Sequence, residues 1–307
     1  MTDFNPLLEN LQERVVQQAP LKLIHARNTY HVFDKGNVEF NGAYWEWIGE
    51  QPLEGVKWAK TLKSKDLEKI PEVFSCQLKI IHDHVYYTIY NKKKVKQALE
   101  SPAETAALLE RLVDSMKTKP VLDLNQVLTE LLCPADPKDN YRTVKEISAD
   151  EADIDDLDKA ANILDWMGEA VDNMLEPSDE FNKGYQRPNN STWNKVLTNS
   201  ESEKSLVLII DPSFLRKLET RFLSDVADDS SLNPYRTFKT VIRKKLPNNY
   251  KALILDEKAL AFRIINEDGI MTEQVFGSGN MKFGYHVTVV GGLIPFCNSW
   301  ALRETTT

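Results

Sequence analysis

Residues 73–90, VFSCQLKIIHDHVYYTIY, constrain the fold more than any other segment of the chain. They are rich in β-branched and aromatic residues, which predicts one long strand. A strong helix start follows, because Ser101 can cap a helix, Pro102 suits its first position and Glu104 completes a capping box. We expect a helix over about 101–119. A long strand followed by a long helix favours a mixed α+β fold.

The second half of the chain mixes helical and strand-like segments. Ser148 and Glu151 form another capping box, and an apolar pattern with helical spacing follows as far as Leu175. The continuous apolar run LVLII predicts a buried strand, after which Asp211 and Pro212 are expected to open a helix. Most later segments are strand-like. A chain of 307 residues can bury a large core without disulfides or metals.

Composition narrows the classes of function. The formal net charge of −8 disfavours tight binding to nucleic acid, because an acidic surface repels phosphate backbones. The three cysteines, Cys76, Cys133 and Cys297, form no CxxC pair and predict reduced thiols in an intracellular compartment. We find no signal peptide and no apolar run long enough to span a membrane, which predicts a protein that is cytoplasmic or assembled in a cytoplasm.

His82 and His84 are the most suggestive candidates for chemistry. A His-x-His pair on a strand places both rings on one face, but zinc needs at least one more ligand. Cys76 is six residues from His82, roughly 20 Å along a strand, so it cannot join the pair. We predict no metal or other cofactor here, and interpret the histidines as a continuation of the packed face that carries Leu78 and Ile80. Replacing both is expected to alter assembly or its pH dependence.

An enzymatic alternative rests on Asp211, Asp256 and Lys258. Carboxylates at strand ends beside a lysine are typical of Mg²⁺-dependent nucleases. The sequence DEK at 256–258 also fits a simple β-turn. The sequence has no P-loop, nucleophile elbow, zincin or EF-hand motif. We therefore expect a protein that is not an enzyme.

The order of the segments resembles the major capsid proteins of tailed bacteriophages. The resemblance is most specific in the second half, in SLVLIIDPSFLRKLETRF, in FKTVIRKKLPNNYKALILDEKALAFRI and in the closing segment GYHVTVVGGLIPFCNSWALR. It covers about 145–307 by these patterns and the first half by element order alone. Encapsulin shell proteins share this fold, and another phage structural or adaptor protein is a further alternative.

The resemblance implies a division of the chain into named parts. Residues 1–34 would form the N-terminal arm and 35–72 the projecting hairpin called the E-loop. Residues 73–144 would form the peripheral domain with its long spine helix, and 145–285 the axial domain. Residues 286–307 would supply a terminal strand that returns to the peripheral domain.

The resemblance also implies function and partners. The chain would self-assemble, as hexamers and pentamers, into the icosahedral shell around a double-stranded DNA genome. Separate scaffolding and portal proteins are expected, with only weak, non-specific contact to packaged DNA and none to membranes. The protein would reside in the virion after assembly in the host cytoplasm.

Aromatic residues in the predicted E-loop are candidates for contacts between subunits. Large apolar side chains on a projecting loop suit an interface better than a monomer surface. The candidate interface residues are Tyr44, Trp45, Trp47, Trp58, His82 and His84. The helical segment that begins after Ser148 carries acids at 153, 155, 156 and 158, and lysines cluster at 91–96 and 243–245. Complementary charge between these segments would help to set the register between subunits.

Overall fold

The computed structural model describes residues 28–37, 44–50, 73–91, 118–141, 143–186, 193–194, 196–225, 238–265, 271–275 and 280–305. Within these ranges the chain is a mixture of strands and helices. No described helix combines the length and apolar character needed to cross a membrane. The mixed α+β fold class predicted from the sequence is confirmed.

Thirteen strands and four α-helices are numbered in chain order within the described ranges. The strands are β1 Asp34–Asn37, β2 Tyr44–Glu50, β3 Val73–Asn91, β4 Thr143–Ile147, β5 Tyr185–Gln186, β6 Trp193–Asn194, β7 Leu206–Ile210, β8 Thr240–Arg243, β9 Tyr250–Asp256, β10 Leu260–Ile265, β11 Met271–Val275, β12 Asn280–Leu293 and β13 Ser299–Glu304. The helices are α1 at 118–132, α2 Ala149–Ala152, α3 Leu157–Leu175 and α4 Pro212–Asp225.

The chain divides into two compact units. One comprises Met1–Tyr44, Leu78–Leu128 and Phe262–Gly292, and the other Trp45–Gln77, Thr129–Ala261 and Leu293–Thr307. A six-stranded sheet runs in the order β1-β10-β12-β3-β2, with β11 paired to β12. A five-stranded sheet runs in the order β4-β13-β9-β7-β8.

A β-bulge at Ile81 reverses the faces of β3. Strand β3 pairs antiparallel with β12, and Ile80 lies opposite Val290 while His82 lies opposite Val289. Val289 and Val290 are adjacent and point to opposite faces, so Ile80 and His82 also lie on opposite faces. The prediction that the histidines continue the face of Ile80 is therefore wrong, because the extra residue shifts the parity of the strand.

The core of the second unit lies between the five-stranded sheet and two helices. All five residues of β7 are buried, which confirms the strand predicted from LVLII. Leu208 of β7 and Ile254 of β9 lie opposite each other and are fully buried. They belong to one apolar cluster with Met167 of α3 and Leu218 of α4. Both helices thus cover the same face of the sheet.

The break predicted at Pro120 is wrong. Residues 118–132 are continuously helical, so Pro120 belongs to a described helix. Most of the helix predicted over 101–119 lies outside the described residues. The described helix buries one apolar stripe against the rest of the chain. The stripe comprises Pro120, Val121, Leu124, Leu128 and Leu132.

The helix predicted to begin after Ser148 is divided in two. The capping box of Ser148 and Glu151 is present, but it starts only the short α2. The chain leaves helical geometry at Asp153, and Asp156 then caps α3 by accepting a hydrogen bond from the Lys159 N–H. Two N-cap signals follow each other within eight residues, and each starts its own helix.

The last two strands belong to different sheets. β12 lies beside β3 in the six-stranded sheet, whereas β13 lies between β4 and β9 in the five-stranded sheet. This differs from the expectation that all of 286–307 returns to the peripheral domain. The division into arm, E-loop, peripheral and axial parts stays a prediction, because most of 1–34 and 35–72 lies outside the described residues.

We predict that Leu208→Ala destabilises the second unit by about 2–5 kcal/mol, because it leaves a cavity in a fully buried site. Thermal or urea unfolding of the unassembled subunit measures the change. Leu197→Ala is the matched control, since Leu197 is 47% exposed and should cost less than about 1 kcal/mol. Equal destabilisation by both variants would contradict the assigned core.

Candidate functional site

The two faces of the β3–β12 ladder have different environments. His82, His84 and Tyr86 lie on one face, which is tied to α1 by a hydrogen bond from the Tyr86 hydroxyl to Asp123 at 3.1 Å. The opposite face carries Asp83 and Val85, with their cross-strand partners Thr288 and His286. The first face is held against a helix. On the second face, Asp83 and Val85 of β3 are exposed, whereas Thr288 of β12 is buried.

The second face presents four large apolar side chains of β3 that are exposed. We call them the β3 stripe, which comprises Ile80 (55% exposed), Val85 (49%), Tyr87 (57%) and Ile89 (52%). Val85, Tyr87 and Ile89 follow one another along the strand, and Asp83 separates them from Ile80. Exposed apolar side chains grouped on one face are typical of an interaction surface.

Polar groups are interspersed with the β3 stripe. The Lys282 ammonium lies 4.7 Å from the centroid of the Tyr87 ring, a cation–π distance. Thr288 donates a hydrogen bond to the Asp83 carboxylate at 2.9 Å, and His286 contacts the same oxygen. Hydrogen bonds from His286 and Thr288 hold the pKa of Asp83 below its ordinary value. An apolar surface that also contains a few fixed polar groups has the make-up of a protein–protein interface.

Close approach of the two strands explains a glycine in this ladder. Gly284 lies opposite Tyr87, and a Cβ added to it would come within 3.0 Å of the Tyr86 carbonyl oxygen. Any side chain at Gly284 would therefore push the strands apart beside Tyr87.

His82 is buried and sits at the start of a hydrogen-bonded chain. Its Nε2 lies 2.7 Å from the Tyr86 hydroxyl, and that hydroxyl donates to Asp123. Asp123 in turn accepts from Lys119 at 2.7 Å. Since the Tyr86 proton points to Asp123, His82 donates through Nε2, and its Nδ1 has no partner among the described residues.

Burial lowers the pKa of His82 below its ordinary value, and the neighbouring His84 lowers it further. The carboxylates of Asp123 and Asp83 act in the opposite direction but do not outweigh these effects. Protonation would place a new N–H at Nδ1, in a buried position without an acceptor. The fold therefore favours the neutral imidazole.

The other predicted interface residues are placed only in part. His84 is exposed and stacks on His82, with ring centroids 4.3 Å apart. Tyr44, Trp45 and Trp47 lie in β2, whose backbone alone is described. Trp58 lies outside the described residues. The structure brings the two histidines together, and the role of the aromatic residues stays a prediction.

The structure separates the two carboxylates of the predicted nuclease site. Strands β7 and β9 are antiparallel, with Leu206 opposite Asp256, while the N–H of Asp211 bonds to the carbonyl of Lys251. The carboxylates thus lie at opposite ends of the pair, roughly 17 Å apart at the usual rise per residue. Two ligands of one Mg²⁺ must both approach it to about 2.1 Å. The predicted shared magnesium site is wrong, because strand direction decides which ends meet.

Each of these residues has a local structural role instead. Asp211 caps α4, accepting hydrogen bonds from the N–H groups of Ser213 at 2.9 Å and Phe214 at 3.4 Å. Burial alone would raise the pKa of Asp211, but the hydrogen bonds it accepts outweigh burial and lower it. Burial raises the pKa of Asp256, which accepts from the Lys258 N–H in a turn, while the Lys258 side chain pairs with Glu201.

Known structures of phage capsids share this fold. The chain is similar to the capsid structure of Staphylococcus phage Andhra at 10% identity and a TM-score of 0.64, over 88% of this chain and 83% of that chain. The capsid of Cyanophage P-SCSP1u matches at 9% identity and a TM-score of 0.60, over 88% of this chain and 86% of that chain. The mature capsid of bacteriophage PhiM1 matches at 10% identity and a TM-score of 0.55, over 91% of this chain and 88% of that chain. No curated protein matches the sequence.

The sequence itself decides the family. The model of the Phi29-like phage major capsid proteins matches residues 1–303. The chain belongs to this family. It is a structural subunit that forms a shell by self-assembly, and its place is the virion. The resemblance inferred from element order is confirmed.

Sequence reasoning missed the β3 stripe of this capsid subunit. Val85, Tyr87 and Ile89 alternate with Tyr86 and Tyr90, so both faces of β3 are apolar in sequence. Alternation identifies two faces and cannot show which of them a helix covers. The signal in the sequence was that odd-numbered and even-numbered residues of this segment both include large apolar side chains.

We predict that acidification destabilises the first unit through His82. The unfolded imidazole takes up a proton near pH ~6.5, whereas the buried one resists it. The free energy of unfolding therefore falls as the pH drops from about 6.5 towards the lowered pKa of His82 in the folded state. Above that window the neutral imidazole causes no loss of stability. The pKa values of the nearby Asp83 and Asp123 are lowered, so both carboxylates stay ionised throughout this range. Lys119 pairs with Asp123, and His84 stacks on the His82 ring.

The measurement is the melting temperature of the unassembled subunit between about pH 7.5 and 5.5. His82→Gln should flatten its pH dependence, while the control His31→Gln, at an exposed site, should keep the parent slope. An unchanged slope in His82→Gln would refute the assignment.

Proposed function

We propose that this chain is the major subunit of an icosahedral shell, arranged as hexamers and pentamers around a viral double-stranded DNA genome. The family match over residues 1–303 carries the proposal. The fold supports it, because a shell protein needs wide contact surfaces, and the β3 stripe is such a surface.

The β3 stripe serves as a contact between neighbouring subunits. Four apolar side chains about half exposed on one face would each gain from leaving water, by roughly 25 cal/mol per Å² of apolar area. The polar groups beside them, Asp83, His286 and Lys282, would orient the partner. His82 and His84 support this surface from the reverse side of the same strand.

Other partners follow from the subunit's role and charge. Assembly takes place in the host cytoplasm with separate scaffolding and portal proteins. The net charge of −8 limits packaged DNA to weak, non-specific contact. Tyr44, Trp45, Trp47 and Trp58 add contacts from a projecting loop, and the chain has no catalytic role and no cofactor.

Expression of the subunit, alone and together with a scaffolding protein from the same phage, tests the proposal. Negative-stain microscopy and sedimentation should show shells, capsomer rings or sheets. A protein that stays monomeric at high concentration under both conditions would overturn it.

We predict that Val85→Asp and Tyr87→Asp reduce the yield of sedimenting particles at least about tenfold, because a desolvated charge in an apolar contact costs more than 1.4 kcal/mol. Both positions are exposed, so the melting temperature of the isolated subunit should be nearly unchanged. Leu197→Asp is the control, as an isolated exposed leucine away from the β3 stripe. Normal particle yields from both stripe variants would show that the β3 stripe is not part of the interface between subunits.

A further inference from the structure

One face of helix α3 carries a row of acids. Asp158, Asp165, Glu169 and Asp172 follow at spacings of seven, four and three residues, with Ala161 and Asn162 between the first two. These spacings place the four side chains on one face of the helix, and Glu176 follows as the C-cap residue. All five residues are exposed.

These acids differ from the acids at the start of the same helix. Asp150 and Asp155 form ion pairs with Lys159 at 3.0 and 2.8 Å, and Asp153 pairs with Lys217 at 2.5 Å. The five acids of the row have no ion-pair partner within the described part of the chain. Like charges spaced at three and four residues destabilise a helix. The row therefore carries an uncompensated repulsion that a basic partner would relieve.

Glu169 of the acid row lies beside an open sheet edge. Strand β4 pairs with β13 on one side and, among the described strands, has no neighbour on the other. A cavity of about 250 Å³ lies between β4 and α3. Glu169, Glu180 and Trp166 line it, and the Lys145 ammonium is held 4.0 Å from the Trp166 ring centroid. We call β4, the cavity and the acid row of α3 the acidic margin.

The other edge of the same sheet is basic. Strand β8 pairs with β7 on one side and has no described neighbour on the other. Lys239, Arg243, Lys244 and Lys245 lie in or beside it, and Val241 exposes 37% of its surface there. Arg243 reaches Glu219 at 3.5 Å, whereas the three lysines have no ion pair with any described residue. We call this edge the basic margin.

We propose that the acidic margin of one copy docks against the basic margin of the next copy. This rests on the proposed shell function and names the surface that joins neighbours within a capsomer. The two margins lie at opposite edges of one five-stranded sheet and have opposite charge. A contact between two different patches is heterologous, and its repetition forms a closed ring when the rotation from one copy to the next is a whole fraction of a full turn.

Charge on an edge strand also has a simpler use. Lysines on an edge strand discourage unwanted strand pairing, and they suffice to explain β8 taken alone. They do not explain the acid row, which lies on a helix, carries the opposite sign and borders the opposite edge. Two complementary unpaired margins favour docking between copies over edge protection.

Charge reversal at each margin tests the proposal. Asp165→Lys, Glu169→Lys and Asp172→Lys together change the net charge of the acid row from −5 to +1. Lys239→Glu, Lys244→Glu and Lys245→Glu change that of the four basic residues from +4 to −2. Each triple variant should lower the yield of rings and shells at least about tenfold, because charges of the same sign then meet across the contact. The variant that combines all six substitutions restores opposite signs and should recover much of the wild-type yield. Wild-type assembly should also weaken as salt rises, since the screening length falls from ~10 Å at 0.1 M to ~3 Å at 1 M.

The control is Glu203→Lys with Lys204→Glu, at the end of the sheet and not along either edge. Melting temperatures of the unassembled variants confirm that each one folds. Wild-type yields from both triple variants would overturn the margin contact and leave the shell function intact, whereas failure of the wild type itself would overturn the shell function. Variants that form normal capsomers but no longer recruit the scaffolding protein would also overturn the margin contact, because they would assign the margins to that partner.

Discussion

The extra residue at Ile81 determines which side chains of β3 are exposed to solvent. Without it, His82 would share a face with Ile80, and the two faces of β3 would be exchanged beyond that point. With it, Tyr86 and His82 turn towards α1, where the Tyr86 hydroxyl bonds both to His82 and to the Asp123 carboxylate. Val85 and Tyr87 are left in water. Burial of these two side chains against a second copy is the contact that we propose for the shell.

In the second unit the edges of the sheet, and not one of its faces, are open among the described strands. Its sheet buries one apolar face under α3 and α4, and its two edge strands, β4 and β8, have no described neighbour on their outer sides. Open edges invite uncontrolled pairing between chains. Opposite charge at the two edges would permit one pairing, edge to opposite edge, and disfavour the two pairings of like edges. The proposed margins thus combine attraction with selection of a single geometry.

Patterns of neighbouring residues predicted which helices and strands form, but predicted less well where the helices begin and end. Asp211 caps α4, Ser148 and Glu151 form their capping box, and LVLII is a buried strand, since each depends on neighbours within a few residues. Pro120 belongs to a helix that continues to 132, so it does not act as the terminator that the sequence predicts. The helix after Ser148 breaks at Asp153, where a second cap competes with the first.

The sequence by itself determined the α+β class, the family and the residues that could form a site. Order of elements and turn chemistry are properties of neighbouring residues, so they can be read along the chain. Only the tertiary structure decided that Asp211 and Asp256 lie at opposite ends of an antiparallel pair, and that Val85 and not Tyr86 faces solvent. It alone placed the acid row of α3 and the lysines after β8 at opposite edges of one sheet. Strand direction, register and edge position depend on pairing between distant segments, and no local pattern specifies them.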